Sequence, residues 1–236
     1  MTKYWERGKV KTRLGNSIGM ERAGSLHQLF VWHLCVSLSR AACRKVVCVA
    51  PDHRLTAMET ALKSWDLDGQ WDIKSQGAGN LGERMQRWFI HNLGARSSRA
   101  ILIGADCPRL DTGQIEQASE ILQTREVVLG PAADGGYYLI GLRGAWQSNE
   151  SRFETLFHDV PWSTEQVLNV TRGRLEAAGL SFAELETRED VDTIDELRNL
   201  CESLEQATDR HADLKQGIDR ILAGFSLSDP PSADIQ

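Results

Sequence analysis

The sequence predicts an α/β protein with a mainly parallel central sheet flanked by helices. Short β-rich runs alternate with longer segments of helical periodicity, the pattern of strand–helix–strand units. The continuous apolar runs, such as VVCVA (46–50) and AILIGA (100–105), have the length of buried strands and are far too short to cross a bilayer. The 236 residues, 41% apolar and 25% charged, have the composition of an ordinary soluble domain with a sizeable core.

The elements follow in order. Leu26, Leu29, Phe30 and Leu34 form one stripe of a helix over 24–41. KVVCVA (45–50) is a buried strand, 54–65 a helix and WDIKSQ (71–76) a strand. Residues 80–93 have helical spacing, RAILIGA (99–105) is the clearest strand, and 112–123 are helical. EVVLGPA and YYLIGL give two more strands. Ser163 with Gln166 has capping-box spacing and opens a helix running to about Gly179. SFAELE (181–186) is the last strand, and 193–206 and 212–223 are C-terminal helices. This divides the chain into an α/β domain over 1–206, a helical extension over 207–225 and a polar, proline-bearing tail over 226–236 that is expected to be disordered. Only Met1–Lys3 precede the first loop, so the first strand is expected to be truncated or the start mis-assigned. The extension leaves pairing with a second copy, a homodimer, open.

The net charge of −6 argues against a general nucleic-acid binder. The charge is unevenly spread: Lys3, Arg7, Lys9, Lys11, Arg13 and Arg22 against Glu6 and Glu21 give the first 22 residues +4, and the remainder −10. Such a cationic cluster in an acidic chain suits a small anion such as phosphate. Five cysteines with no CxxC pair, and no signal-peptide pattern, fit reduced thiols and a cytoplasmic protein.

Six motifs carry candidate chemistry. GKVKTRLG (8–15) sets Lys9, Lys11 and Arg13 at alternate positions between glycines; it is not a Walker loop, because Val10 follows Lys9. An exposed basic loop is the plain alternative. ILIGADCP (101–108) places Asp106 directly after a strand, where α/β sheets gather ligands and where an aspartate can hold a hard cation, although a capping aspartate would look the same. Cys107 beside it reads as a buried small residue. GPAADGGYYLIGL (130–142) sets Asp134 before two glycines, which a hairpin turn also explains. REDVDTIDEL (188–197) sets Asp190 and Asp192 before a helix whose Thr193 and Glu196 have capping-box spacing. GNLGERM (79–85) enters a helix carrying Glu83 and Arg84. PWSTEQVL (161–168) offers Trp162, to stack on a ligand or to pack in the core.

Taken together, GKVKTRL, LGERM, IGADCPRL, GPAADGGYYLIGL, PWSTEQVL and DVDTIDEL make the chain resemble the bacterial glycosyltransferase-A-like family of radical-SAM/selenodomain-associated transferases, members of which are linked to arsenosugar biosynthesis. The match spans residues 8 to 197. The chain is more distantly similar to molybdenum-cofactor and phospholactate guanylyltransferases. The resemblance implies a Rossmann-like glycosyltransferase-A domain binding a nucleotide-sugar or a nucleoside triphosphate. It implies that Lys9, Lys11 and Arg13 hold the phosphates, with Gly82 and Arg84 also on the nucleotide. Asp106 and Asp192 would bind Mg²⁺ or Mn²⁺, and Asp134 and Asp106 would stand at the chemistry, Asp134 as a base on the acceptor side. Sugar transfer to a small acceptor is the first activity implied. Nucleotidyl transfer with pyrophosphate release is the second, and a non-catalytic nucleotide-binding protein the third. The chain departs from the family pattern in its short first strand, its single Asp106 in place of Asp-x-Asp, and Trp5 and Arg7 where a proline-rich turn is expected.

Overall fold

The structure, a computed structural model, describes residues 1–205, 211–225 and 227. Two sheets form the centre. The first is parallel, in the order β1 (Thr2–Lys3), β2 (Val46–Ala50), β3 (Asp72–Ser75). The second runs β4 (Arg99–Ile103), β6 (Tyr137–Arg143), β5 (Val127–Pro131), β7 (Phe182–Glu184). The Met1 amine donates to the Ile103 carbonyl at 2.7 Å and so joins β1 to the end of β4. β5 is buried at all five positions and β6 at its five central ones, because helices cover both faces.

The helices are α1 (Thr12–Ile18), α2 (Met20–Ser37), α3 (Leu55–Ser64), α4 (Leu81–Asn92), α5 (Thr112–Thr124), α6 (Trp146–Phe153), α7 (Val167–Ala177), α8 (Ile194–Glu205) and α9 (Ala212–Ile221). Capping boxes start two of them: Asn80 with Glu83 at α4, and Asp111 with Gln114 at α5. Three core clusters result. Two lie on the sheet faces, and the third packs α1, α2, α8 and α9 together through Leu14, Phe30, Leu200 and Leu214.

The α/β class and the mainly parallel sheet stand, with two corrections of helix detail. The second sheet is mixed: β6 runs antiparallel to both β4 and β5. The turn through Asp134, Gly135 and Gly136 is far too short for the crossover a parallel return needs. The second helix begins at Met20 rather than residue 24 and ends at Ser37 rather than 41, with Leu38 and Ala41 buried in a turn that continues the apolar spacing without the helix. Ser163 caps nothing: its φ is +65°, and α7 starts four residues later with no side-chain cap. The predicted tail over 226–236 falls, apart from Leu227, outside the described residues, as do residues 206–210. No helix among the described residues is long and apolar enough to cross a membrane.

Candidate functional site

Segments far apart in sequence meet in one cleft of about 980 Å³ at the carboxyl ends of the strands. The chain leaves β1, turns through Gly8 and reaches Lys11, whose backbone is left-handed (φ 44°, ψ 47°) just before α1. This turn aims the Lys11 side chain inward, where it is only 1% exposed. Its Nζ donates to Asp106 Oδ1 at 2.6 Å, to the Val191 carbonyl at 2.7 Å and to Asp192 Oδ1 at 3.4 Å. Asp106 follows β4, and Asp192 precedes α8. The Val191 N–H donates to the Asp106 carbonyl at 3.0 Å and ties these two turns together. Both Asp192 and Thr193 N–H groups donate to Glu196, and the Glu196 N–H reaches Thr193 Oγ1, so the expected capping box at α8 forms.

An ammonium has three donors. All three of Lys11 are taken up by protein acceptors, so the residue expected to grip phosphate is a counter-ion holding two carboxylates in place. The free cations of the motif are its neighbours. Lys9 is exposed on the cleft wall, and Arg13, 70% exposed, donates to Asp192 Oδ2 at 3.3 Å while the rest of its fork stays wet. Gly15, which closes the motif, lies inside α1, where a Cβ would meet the Met20 sulfur.

The electrostatics follow from this placement. Burial works against the Lys11 charge, but Asp106 and then Asp192 outweigh it and hold its pKa above the ordinary lysine value. Burial likewise opposes the Asp106 charge, and Lys11 outweighs it, so the carboxyl stays below the usual range. The side chains of Asp106 and Asp192 are 42% and 35% exposed, which leaves oxygen surface open to the cleft. Asp190 also faces the cleft. Burial pushes it up to about 7 against the hydrogen bond from Cys107 (2.6 Å), and the carboxylates of Asp106, Asp134 and Asp192 add to the rise. Cys107 itself is buried, its thiol pKa raised by burial, in keeping with a small packing residue.

His27, Gln76 and Asp190 are cleft residues that the sequence reading did not assign to the site. His27 is fully enclosed at 4% exposure. Its Nε2 lies 3.1 Å from the Lys3 carbonyl and 3.0 Å from Thr2 Oγ1. Nδ1 is buried without a hydrogen-bond partner, 4.0 Å from Asp106 Oδ1. Burial and the Lys11 charge hold the His27 pKa down and keep the ring neutral. Gln76, just beyond β3, donates to the Thr2 and Cys48 carbonyls and accepts from Arg84 Nη1 at 3.4 Å. On an apolar helix stripe His27 reads as core, and no local pattern marks Gln76. Asp190 had a signal: residues two apart in an extended segment share a face, so it travels with Asp192.

The opposite wall carries Arg84, Asp134 and Trp162. Asp134 is exposed, and its Oδ1 accepts from the Gly136 N–H at 2.8 Å within the hairpin turn. Gly135 (φ +87°) has the Glu165 backbone where a side chain would stand, so this close approach is to protein. Trp162 is half-buried, with its ring edge-on to Tyr137. Gly82 does not line the cleft. It sits behind the wall, where a Cβ would collide with the Phe157 carbonyl and the Trp162 ring, and its role is packing.

Among the described residues no group of three His, Cys, Asp or Glu side chains is placed to hold a metal ion. Two carboxylates with open oxygen surface do fit the way Mg²⁺ is bound beside substrate phosphates, through one or two carboxylates and waters. Exposed cations and carboxylate oxygen donors thus face a single space.

Comparison with known proteins agrees with this architecture. The chain belongs to a family described as an uncharacterized protein conserved in bacteria (DUF2064), whose profile matches residues 34–164. No curated protein matches it. Among solved structures it is similar to a protein from Desulfovibrio desulfuricans G20 described as a candidate nucleotide-diphospho-sugar transferase, at 30% identity over 95% of both chains with a TM-score of 0.76. A CMP:2-keto-3-deoxy-manno-octonic acid synthetase complexed with CTP shares the fold at 14% identity and a TM-score of 0.50, over 87% of this chain and 96% of that one. A manganese complex of Rv0371c from Mycobacterium tuberculosis H37Rv matches at 16% identity, over 74% of this chain and 86% of that one, with a TM-score of 0.44, too slight a likeness to carry an argument.

Proposed function

We propose that this protein is a transferase that moves a sugar from a nucleotide-sugar to a small acceptor. One observation carries the reading: Lys11 clamps Asp106 and Asp192 at the floor of a cleft that Lys9 and Arg13 also line. The similarity to the Desulfovibrio protein supports the same class of substrate. The resemblance to the radical-SAM-associated transferases is the finer form of this proposal.

In this reading Lys9 and the open part of the Arg13 fork bind the diphosphate, the arginine through paired N–H donors. Arg84 stands on the opposite wall as a further donor to the nucleotide. Asp106 and Asp192 would hold a Mg²⁺ or Mn²⁺ ion, which when bound neutralises charge on the departing phosphate oxygens. Lys11 stabilises the Asp106 charge and fixes both carboxylates in direction, which lowers the cost of reorganising them during the reaction. Asp134, exposed across the cleft, is placed to take a proton from an acceptor hydroxyl, and Trp162 gives that side an apolar wall.

The test is a thermal-shift screen of nucleotide-sugars and nucleoside triphosphates with and without Mg²⁺ or Mn²⁺, followed by product analysis. Saturating ligand at 100 times its dissociation constant adds about 2.7 kcal/mol of stability. Metal-dependent stabilisation by a nucleotide-sugar, with nucleoside diphosphate released on adding acceptor, is the expected result. Pyrophosphate released from a triphosphate would assign a nucleotidyltransferase instead. Binding without turnover of either would leave a nucleotide-binding protein.

A further inference from the structure

The turn that carries Asp106 has a second face. Behind the cleft, the Cys107–Arg109 turn, the 186–191 segment and α8 enclose a smaller pocket of about 310 Å³. That is the low end of the size range of small-ligand sites. Arg109 and Arg188 both line it, and each has a buried Nε with no hydrogen-bond partner. Arg13, Arg44, Arg54, Arg152, Arg172 and Arg198 form salt bridges among the described residues, and neither pocket arginine is one of them.

A buried donor on a permanently charged group is costly to leave without an acceptor, and native structures seldom do so without a reason. The pocket also holds Glu186 and Glu189, but both are exposed, and Glu189 Oε1 already accepts from Asn199 Nδ2 at 2.9 Å. Their charge is screened by water, while the two guanidinium Nε atoms are dry. Two arginines lining one small pocket suit an oxyanion, which presents several acceptor oxygens at once.

We propose that this pocket binds a small metabolite through its oxyanion, a phosphoryl or carboxyl group held by Arg109 and Arg188. The site is separate from the nucleotide cleft and does not depend on the transferase reading. It is, however, built on the same turns. The Cys107 thiol donates through the shared wall to Asp190, and Val191 N–H donates to the Asp106 carbonyl. A ligand spanning Arg109 and Arg188 would therefore brace the two segments that carry Asp106 and Asp192.

The test titrates inorganic phosphate and, separately, malonate into the full chain by calorimetry, with sodium chloride at matched ionic strength as the blank. The background is the double variant Lys9→Met, Arg13→Met, which removes the exposed cations of the cleft. Saturable binding of about one anion per chain is expected in that background, weakened at least tenfold by adding Arg109→Met or Arg188→Met. Arg109→Lys, which keeps the charge but loses the fork, should weaken it as well and serves if a methionine variant does not fold. Phosphate binding alone would identify a phosphoryl ligand, and binding of both anions would extend the site to carboxylates. No saturable binding of either anion in the cleft-silenced background, or binding indifferent to Arg109 and Arg188, would overturn the proposal.

Discussion

The cleft and the small pocket behind it share one turn, residues 104–109, yet Lys11 at the cleft floor and the two pocket arginines are partnered in opposite ways. In the cleft, Lys11 is buried and every donor on it has a protein acceptor. In the pocket, Arg109 and Arg188 have buried Nε atoms that no protein group meets. The difference separates structural from ligand-directed charge. A matched cation is part of the frame, whereas an unmatched one is directed at something else. Arg13 falls between them, with one bond to Asp192 and most of its fork in water.

Four experiments would break or sharpen that contrast. The largest effect is expected from Asp106→Ala, which removes a proposed metal ligand and the strongest partner of Lys11. It should abolish Mg²⁺-dependent nucleotide binding, and undiminished metal-dependent heat in a calorimetric titration would contradict the site. Next is Lys11→Met. Breaking a buried pair strands the remaining charges, and the cost should be about 3 kcal/mol in urea unfolding, the low end for such pairs because both carboxylates are partly wet. A loss below about 1 kcal/mol would mean that Lys11 is not a structural counter-ion.

A third buried group, remote in role from both sites, supplies a control. His33 on α2 contacts His211 Nδ1 at 3.1 Å, ahead of α9, and burial, then the neighbouring imidazole, lowers its pKa to about 4. Between that value and the unfolded value near 6.5 the unfolded chain binds the extra proton, so stability is full above about 6.5 and falls as the pH drops toward 4. The fall should be roughly 3 kcal/mol in wild type and much shallower in His33→Gln, as read from unfolding curves at several pH values. An unchanged slope in the variant would place the titrating group elsewhere. The smallest effect belongs to the unmatched and exposed arginines. Arg109→Met removes a dry, unpartnered Nε–H, and Arg13→Met an exposed ion pair, so each should change ligand-free stability by less than about 0.5 kcal/mol. A large loss from Arg109→Met would show that protein groups already satisfy it.

Much of the fold was legible in the chain because the relevant signals are local. The alternation of apolar runs and helical stripes located all the strands and most of the helices, and Asn80 and Asp111 start α4 and α5 with capping boxes. Short α1 was missed because GKVKTRLG reads as a loop, and its left-handed Lys11 leaves no mark in periodicity. The direction of β6 has no mark in strand spacing, whereas the shortness of the Asp134–Gly136 turn makes it antiparallel to β5. In the site, the basic motif, Asp106, Asp134 and Asp192 were all recognisable by residue type, and all line one cleft. Gly82 was misplaced because a packing glycine and a ligand-approach glycine look identical in sequence.

The sequence by itself determined the elements, their order and which residues have the chemistry to meet an anion or a cation, because propensity, capping and residue type act over a few positions. Tertiary structure alone decided which cation is buried and which is free. Lys11 meets Asp106 across 95 residues and Asp192 across 181. The cost of burying a charge depends on partners that only the folded chain brings within reach.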